Sequence, residues 1–124
     1  MQIQSGWQGE PDKLEWVDRG VTCEIVRHKS SGHLCGYIKI ERSRTEQDLM
    51  RELAAVAQVH GGIGYAKKGH VGFDCGHNSD FRPFIDKPSL LDTRIYRNIA
   101  YVTEELKSLV TQYLVLKESH DKVA

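Results

Sequence analysis

The sequence predicts an α+β fold: a small antiparallel sheet covered by a long C-terminal helix, with one shorter helix beside it. Three observations predict it. Residues 21–28 and 34–40 are β-branched, partly alternating runs separated by Lys29-Ser30-Ser31-Gly32, which is hairpin-turn chemistry. Residues 45–57 carry Leu49, Leu53 and Val56 at helical spacing. After Leu90 there is neither Gly nor Pro, and Ile95, Ile99, Val102, Leu106, Leu109, Tyr113 and Leu116 alternate four and three residues apart, an unbroken apolar seam.

Each element follows in order. Residues 1–13, with Gly6, Gly9 and Pro11, read as an irregular arm. In the hairpin, a four-residue loop sets Cys23 opposite Ile38. Ile38 and Ile40 then share one face, while Cys35, Tyr37 and Lys39 share the other. Cys23 and Cys35 point to opposite faces, where no disulfide can join them. Thr45 is placed to cap the short helix, with Glu46 and Asp48 in its first turn. Residues 59–66 and 70–75 read as two more strands around Lys67-Lys68-Gly69, and Gly76 to Pro88 as a loop. The long helix is expected over 93–118. Val110 and Leu114 widen its seam enough to cover a sheet, and its end suits pairing with a second subunit, a homo-oligomer through the C-terminal helix.

Composition narrows the function classes. The 124 residues suit a single domain, 1–124. Lys plus Arg and Asp plus Glu are both 17, a balance that argues against a duplex nucleic-acid binder or a polybasic membrane-surface protein. No apolar run approaches the ~20 residues of a membrane span, and the first residues read as no secretory leader, so a cytoplasmic protein is expected. Three cysteines, an odd number, fit reduced thiols buried as small hydrophobes.

The chemistry-bearing residues are unevenly spread. Six of eleven glycines lie between Gly61 and Gly76, and five of six histidines between His28 and His77. His60-Gly61-Gly62 offers a main-chain cradle for an anion, or a simple bulge. Asp74, His77 and Asp80 have the residue types of a cation site, but Asp after a strand more often caps its own turn and no tight metal motif is present, so no metal or cofactor is expected. Cys75 with His60 or His77 has the elements of a nucleophile and base, against the commoner buried thiol. Arg94 and Arg97, near Tyr96 and Tyr101, offer charge for a phosphate and faces for a base.

One ordered set of residues carries a resemblance: Arg27-His28, Gly32-His33-Leu34-Cys35-Gly36-Tyr37-Ile38, Val59-His60-Gly61-Gly62-Ile63-Gly64-Tyr65, Val71-Gly72-Phe73-Asp74-Cys75-Gly76-His77, Asp80, Pro83, and Tyr96-Arg97-Asn98 with Tyr101-Val102 and Glu105. Over roughly residues 25–110, most of a domain-sized chain, it resembles a family of small proteins encoded by tailed bacteriophages and prophages. The chain departs from that family at Gly64 and at Gly69-His70-Val71, and in the helical character of residues 41–58. The resemblance implies a phage protein acting in the host bacterial cytoplasm by binding. The expected function is counter-defence: sequestering a small phosphate-bearing, nucleotide-type signalling ligand. Its expected contacts are His60, Gly61, Gly62, Asp74, His77, Asp80, Arg94 and Arg97. Two rival expectations are a small hydrolase dependent on a metal or on Cys75 with a histidine, and an inhibitor docking its C-terminal helix on a host protein.

Overall fold

The computed structural model describes residues 6–123. Five strands form one antiparallel sheet: β1 (Lys13–Asp18), β2 (Val21–Arg27), β3 (Leu34–Lys39), β4 (Tyr65–Lys67) and β5 (His70–Asp74), in the order β1-β2-β3-β5-β4. Two helices, α1 (Glu46–Val56) and α2 (Ile99–Val123), pack on one face. This is the α+β arrangement the sequence predicts.

Alternation fixes which side chains meet the helices. In β2, Val21, Cys23, Ile25 and Arg27 are buried while the residues between them are half-buried. Cys23 pairs with Ile38, so the hairpin register is the predicted one. Leu34, Ile38, Val71 and Phe73 continue the core across β3 and β5. From α2, Val102, Leu106, Leu109, Val110 and Tyr113 close it, each at most 2 % exposed. From Val102 to Tyr113 the apolar seam is thus spent inside the chain, and Leu106 and Leu109 offer nothing to a partner. Leu49, Met50 and Leu53 of α1 seal one end. All three cysteines are buried free thiols, and burial pushes Cys23 and Cys35 up to about 11.

The structure corrects four expectations. The strand β1 falls where the sequence suggested none beyond the arm. Part of the arm, residues 1–5, lies outside the described residues, and the remainder is anchored. Glu10 accepts the Tyr96 hydroxyl at 2.6 Å and the Ile99 amide at 2.9 Å, and Asp12 accepts Arg27 Nε at 2.8 Å. Thr45 sits at the start of α1 without a side-chain capping bond. The long helix begins at Ile99 rather than 93. Asn98 caps it by accepting the Tyr101 amide at 2.9 Å, while Ile95 runs extended beside Asp80, its amide donating to Ser79 O and its carbonyl accepting the Phe81 amide. Finally, residues 59–64 are not a strand. Gln112 and Glu105 of α2 take the backbone amides of Gln58 and His60, and Gly61 and Gly62 adopt φ of +68° and +77°. Those amides are satisfied by α2, not by a neighbouring strand.

No helix among the described residues is long and apolar enough to cross a membrane.

Candidate functional site

The turn after β5 folds back toward the start of α2, and Asp80 sits where they meet. Its carboxylate is fully buried. It accepts His60 Nε2 at 2.8 and 2.9 Å, Arg97 Nε at 2.9 Å and the His77 amide at 3.0 Å. Burial works to raise its pKa, but these donors outweigh burial and hold it below the usual carboxylate range. An ionised acceptor on Nε2 fixes the His60 proton there. In the neutral imidazole the other ring nitrogen, Nδ1, 2.8 Å from the Tyr101 hydroxyl, is left to accept from it. Glu105, one turn further along α2, accepts the His60 amide at 2.7 Å. The result is a continuous chain, Tyr101–His60–Asp80, with the Arg97 guanidinium 5.0 Å from the centre of the Tyr101 ring.

His77 bridges this cluster to the sheet. Its ring centre is 6.1 Å from that of His60, and its Nε2 is 3.6 Å from Asp74 Oδ1. Gly61 is needed here, because a Cβ would fall 2.3 Å from His77 Nε2. Asp74 Oδ1 also accepts the Gly76 amide at 2.9 Å and lies 3.9 Å from His33 Nε2. The His33 ring lies against Gly76, where a Cβ would meet it at 2.6 Å, and stacks on His28 at 4.8 Å. Burial lowers the His33 pKa, opposed by Asp74, and its Nδ1 is buried with no partner.

The face of the sheet away from the helices carries Tyr37, Tyr65, Lys39, Lys67, His70 and Asp74. Tyr37 lies across Gly72, whose Cβ would meet its ring at 2.4 Å, and stands edge to face with Tyr65 at 5.5 Å. An open groove of about 360 Å³ runs between His28, His33, Tyr37, Gly64, Tyr65 and Asp74. A second, of about 410 Å³, lies on the other side of Tyr37 toward Lys39 and His70. Lys67 Nζ is 5.4 Å from the Tyr65 ring centre.

The expected site residues therefore divide. His60, Gly61, Asp74, His77, Asp80 and Arg97 form one connected cluster. Gly62 adjoins it, but its amide is spent on Val59 O, so the glycine pair makes a turn rather than an amide cradle. Arg94 lies apart in an ion cluster, 2.7 Å from both Asp86 and Asp92, and holds Asp92 down to about 2. Asp80 turns both oxygens to His60, Arg97 and the His77 amide, so it does not join Asp74 and His77 as a third ligand. Among the described residues no group of three or more His, Cys, Asp or Glu is arranged to hold a metal ion. Cys75 is 1 % exposed, and burial drives its thiol far above the ordinary range, so the core carries it as a small hydrophobe. From the sequence, Tyr101 figures only as an aromatic face beside the arginines, and neither Glu105 nor the Tyr37–Tyr65 pair has a site role. A signal existed for Tyr101 and Glu105, since Arg97, Tyr101 and Glu105 recur every four residues on one stripe.

No family model, no curated protein and no solved structure matches the chain.

Proposed function

We propose that the protein binds a small phosphate-bearing ligand of nucleotide type, and that the open face of the sheet receives it. The observation that carries this reading is the Tyr37–Tyr65 pair, set between a carboxylate and two lysines on an uncovered face. A base stacks on tyrosine rings with little loss of side-chain freedom, and stacking is worth about 1–3 kcal/mol per base. Asp74, at one end of β5, accepts hydrogen bonds from amino and ring N–H groups of a base. Lys39 and Lys67, paired either side of His70 at the other end, suit a phosphate. Asp74 and His70 are four strand residues apart, about 13 Å, within the span of a nucleotide with its phosphates. The first groove falls in the range of small-molecule sites, about 300–1,000 Å³.

In this reading Asp74 and His77 keep the ligand-contacting role the sequence suggests, and the lysines replace Arg94 and Arg97 as phosphate partners. The resemblance to phage proteins supplies the setting: the ligand is a signalling nucleotide, withdrawn from the host's defence by binding. Calorimetry against cyclic mononucleotides, cyclic dinucleotides and ADP-ribose tests it. Binding of one of them at about micromolar Kd or tighter, weakened about tenfold or more by Tyr65→Ala, is expected. If none binds that tightly, or Tyr65→Ala binds as well as the parent, the reading fails.

A further inference from the structure

The geometry points to a phosphoryl-transfer site beside the binding face, in which the Tyr101 hydroxyl is the nucleophile, His60 the base and Asp80 the group that orients it. It goes beyond the binding reading and uses different residues. Three features support it. First, the Tyr101 Oη–His60 Nδ1 and His60 Nε2–Asp80 contacts are both 2.8 Å, so one imidazole links a buried carboxylate to a hydroxyl. That is the order of groups by which a neutral hydroxyl is activated. Second, the chain runs from a fully buried acid to a tyrosine that is only half-buried, so a substrate approaches it from the tyrosine end. Third, Arg97 spends only Nε on Asp80. Among the described residues nothing bonds its terminal nitrogens, and its guanidinium overlies the Tyr101 ring. A guanidinium beside a nucleophile suits the oxygens of a phosphate ester.

The step balances without a co-reactant other than water. Tyr101 Oη attacks phosphorus, and its proton passes to His60 Nδ1. The bond to the ester oxygen breaks, and the leaving oxygen takes that proton from His60. Water then attacks the phosphotyrosyl group, giving a proton through His60 back to the tyrosine oxygen and releasing the phosphate. Burial holds the Tyr101 phenol protonated, above its ordinary pKa, so a base is required. Asp80 is a positioning residue. It touches no substrate, but it keeps Nδ1 free to accept.

The test uses the intact protein with p-nitrophenyl phosphate and bis(p-nitrophenyl) phosphate as probes and p-nitrophenyl acetate as a control. Release of p-nitrophenolate from a phosphate probe is expected, with a phosphoryl mass gain mapping to Tyr101 in quenched wild-type protein. Tyr101→Phe, which keeps the ring, is expected to lower release about 100-fold or more and to abolish the mass gain. Asp80→Asn is expected to slow release and also to move its pH profile. The groups that set that profile are those facing His60: Asp80, His77, Arg97, Tyr101 and Glu105. Absence of release and of adduct in the wild type overturns the proposal. So does release that Tyr101→Phe leaves unchanged, or turnover of the acetate alone. Because adduct mapping needs no variant, a misfolded variant does not blunt the test. Nucleotide binding with no phosphotyrosine would sink this site and leave the binding reading standing.

Discussion

The two faces of the sheet share their strands and differ in almost everything else. On the helix face, side chains from β2, β3 and β5 interlock with α2, and substitutions there act on stability. On the open face, a tyrosine pair, two lysines and a carboxylate project where no helix covers them. The contrast separates the side chains spent on the core from those left open. A chain this small needs one face for its core, so a ligand site belongs on the other face or at the seam where the two meet. Asp80, His60 and Tyr101 occupy that seam.

The sharpest way to break the contrast is at the seam. Asp80→Ala leaves His60 and Arg97 facing a vacated, buried position, and is expected to cost about 3–4 kcal/mol in urea unfolding. Next comes the helix face: Leu106→Ala, at a wholly buried position, should cost about 3 kcal/mol with an unchanged m-value.

Acid separates the groups more gently. Asp80 has a lowered pKa when folded, so its contribution is fully present above the ordinary carboxylate value and is lost as pH falls below about 4. His33 also has a lowered pKa, but as a base the sign works through burial. The unfolded chain takes up its proton first, so stability falls as pH drops through the ordinary histidine range near 6.5. Unfolding midpoints measured from pH 8 to 3 should therefore decline in two stages. The upper stage should vanish in His33→Phe.

On the open face the effects on stability are smallest. Tyr65→Ala should change it by less than about 1 kcal/mol, while binding falls about tenfold. Val17→Thr, an exposed position on β1, should move stability by less than about 0.5 kcal/mol.

These faces were legible in the sequence to different degrees. The β2–β3 register was readable because a four-residue loop and a period of two leave a single choice for Cys23 and Ile38. β1 was not, because an edge strand with Lys13, Glu15 and Val17 turned outward has only Leu14 and Trp16 to declare it. The start of α2 was masked by Ile95, which fits the apolar spacing yet spends its backbone on Ser79 and Phe81. Residues 59–64 escaped for a similar reason: the clamps come from Glu105 and Gln112, far along the chain. Among the site residues, His60, Asp74, His77, Asp80 and Arg97 stood out by type and clustering. What spacing alone did not reveal was which of them would be consumed by one another. That depends on the turn of residues 77–80 folding against α2.

The most direct measurement is an amide chemical-shift titration of the labelled protein with the tightest nucleotide of the panel. Shifts confined to the open face, at Tyr37, Tyr65, Gly72 and Asp74, extending to His77 at the seam, are expected. Shifts centred instead on residues 82–94 around Arg94, or none at all at saturating nucleotide, would contradict binding at the open face.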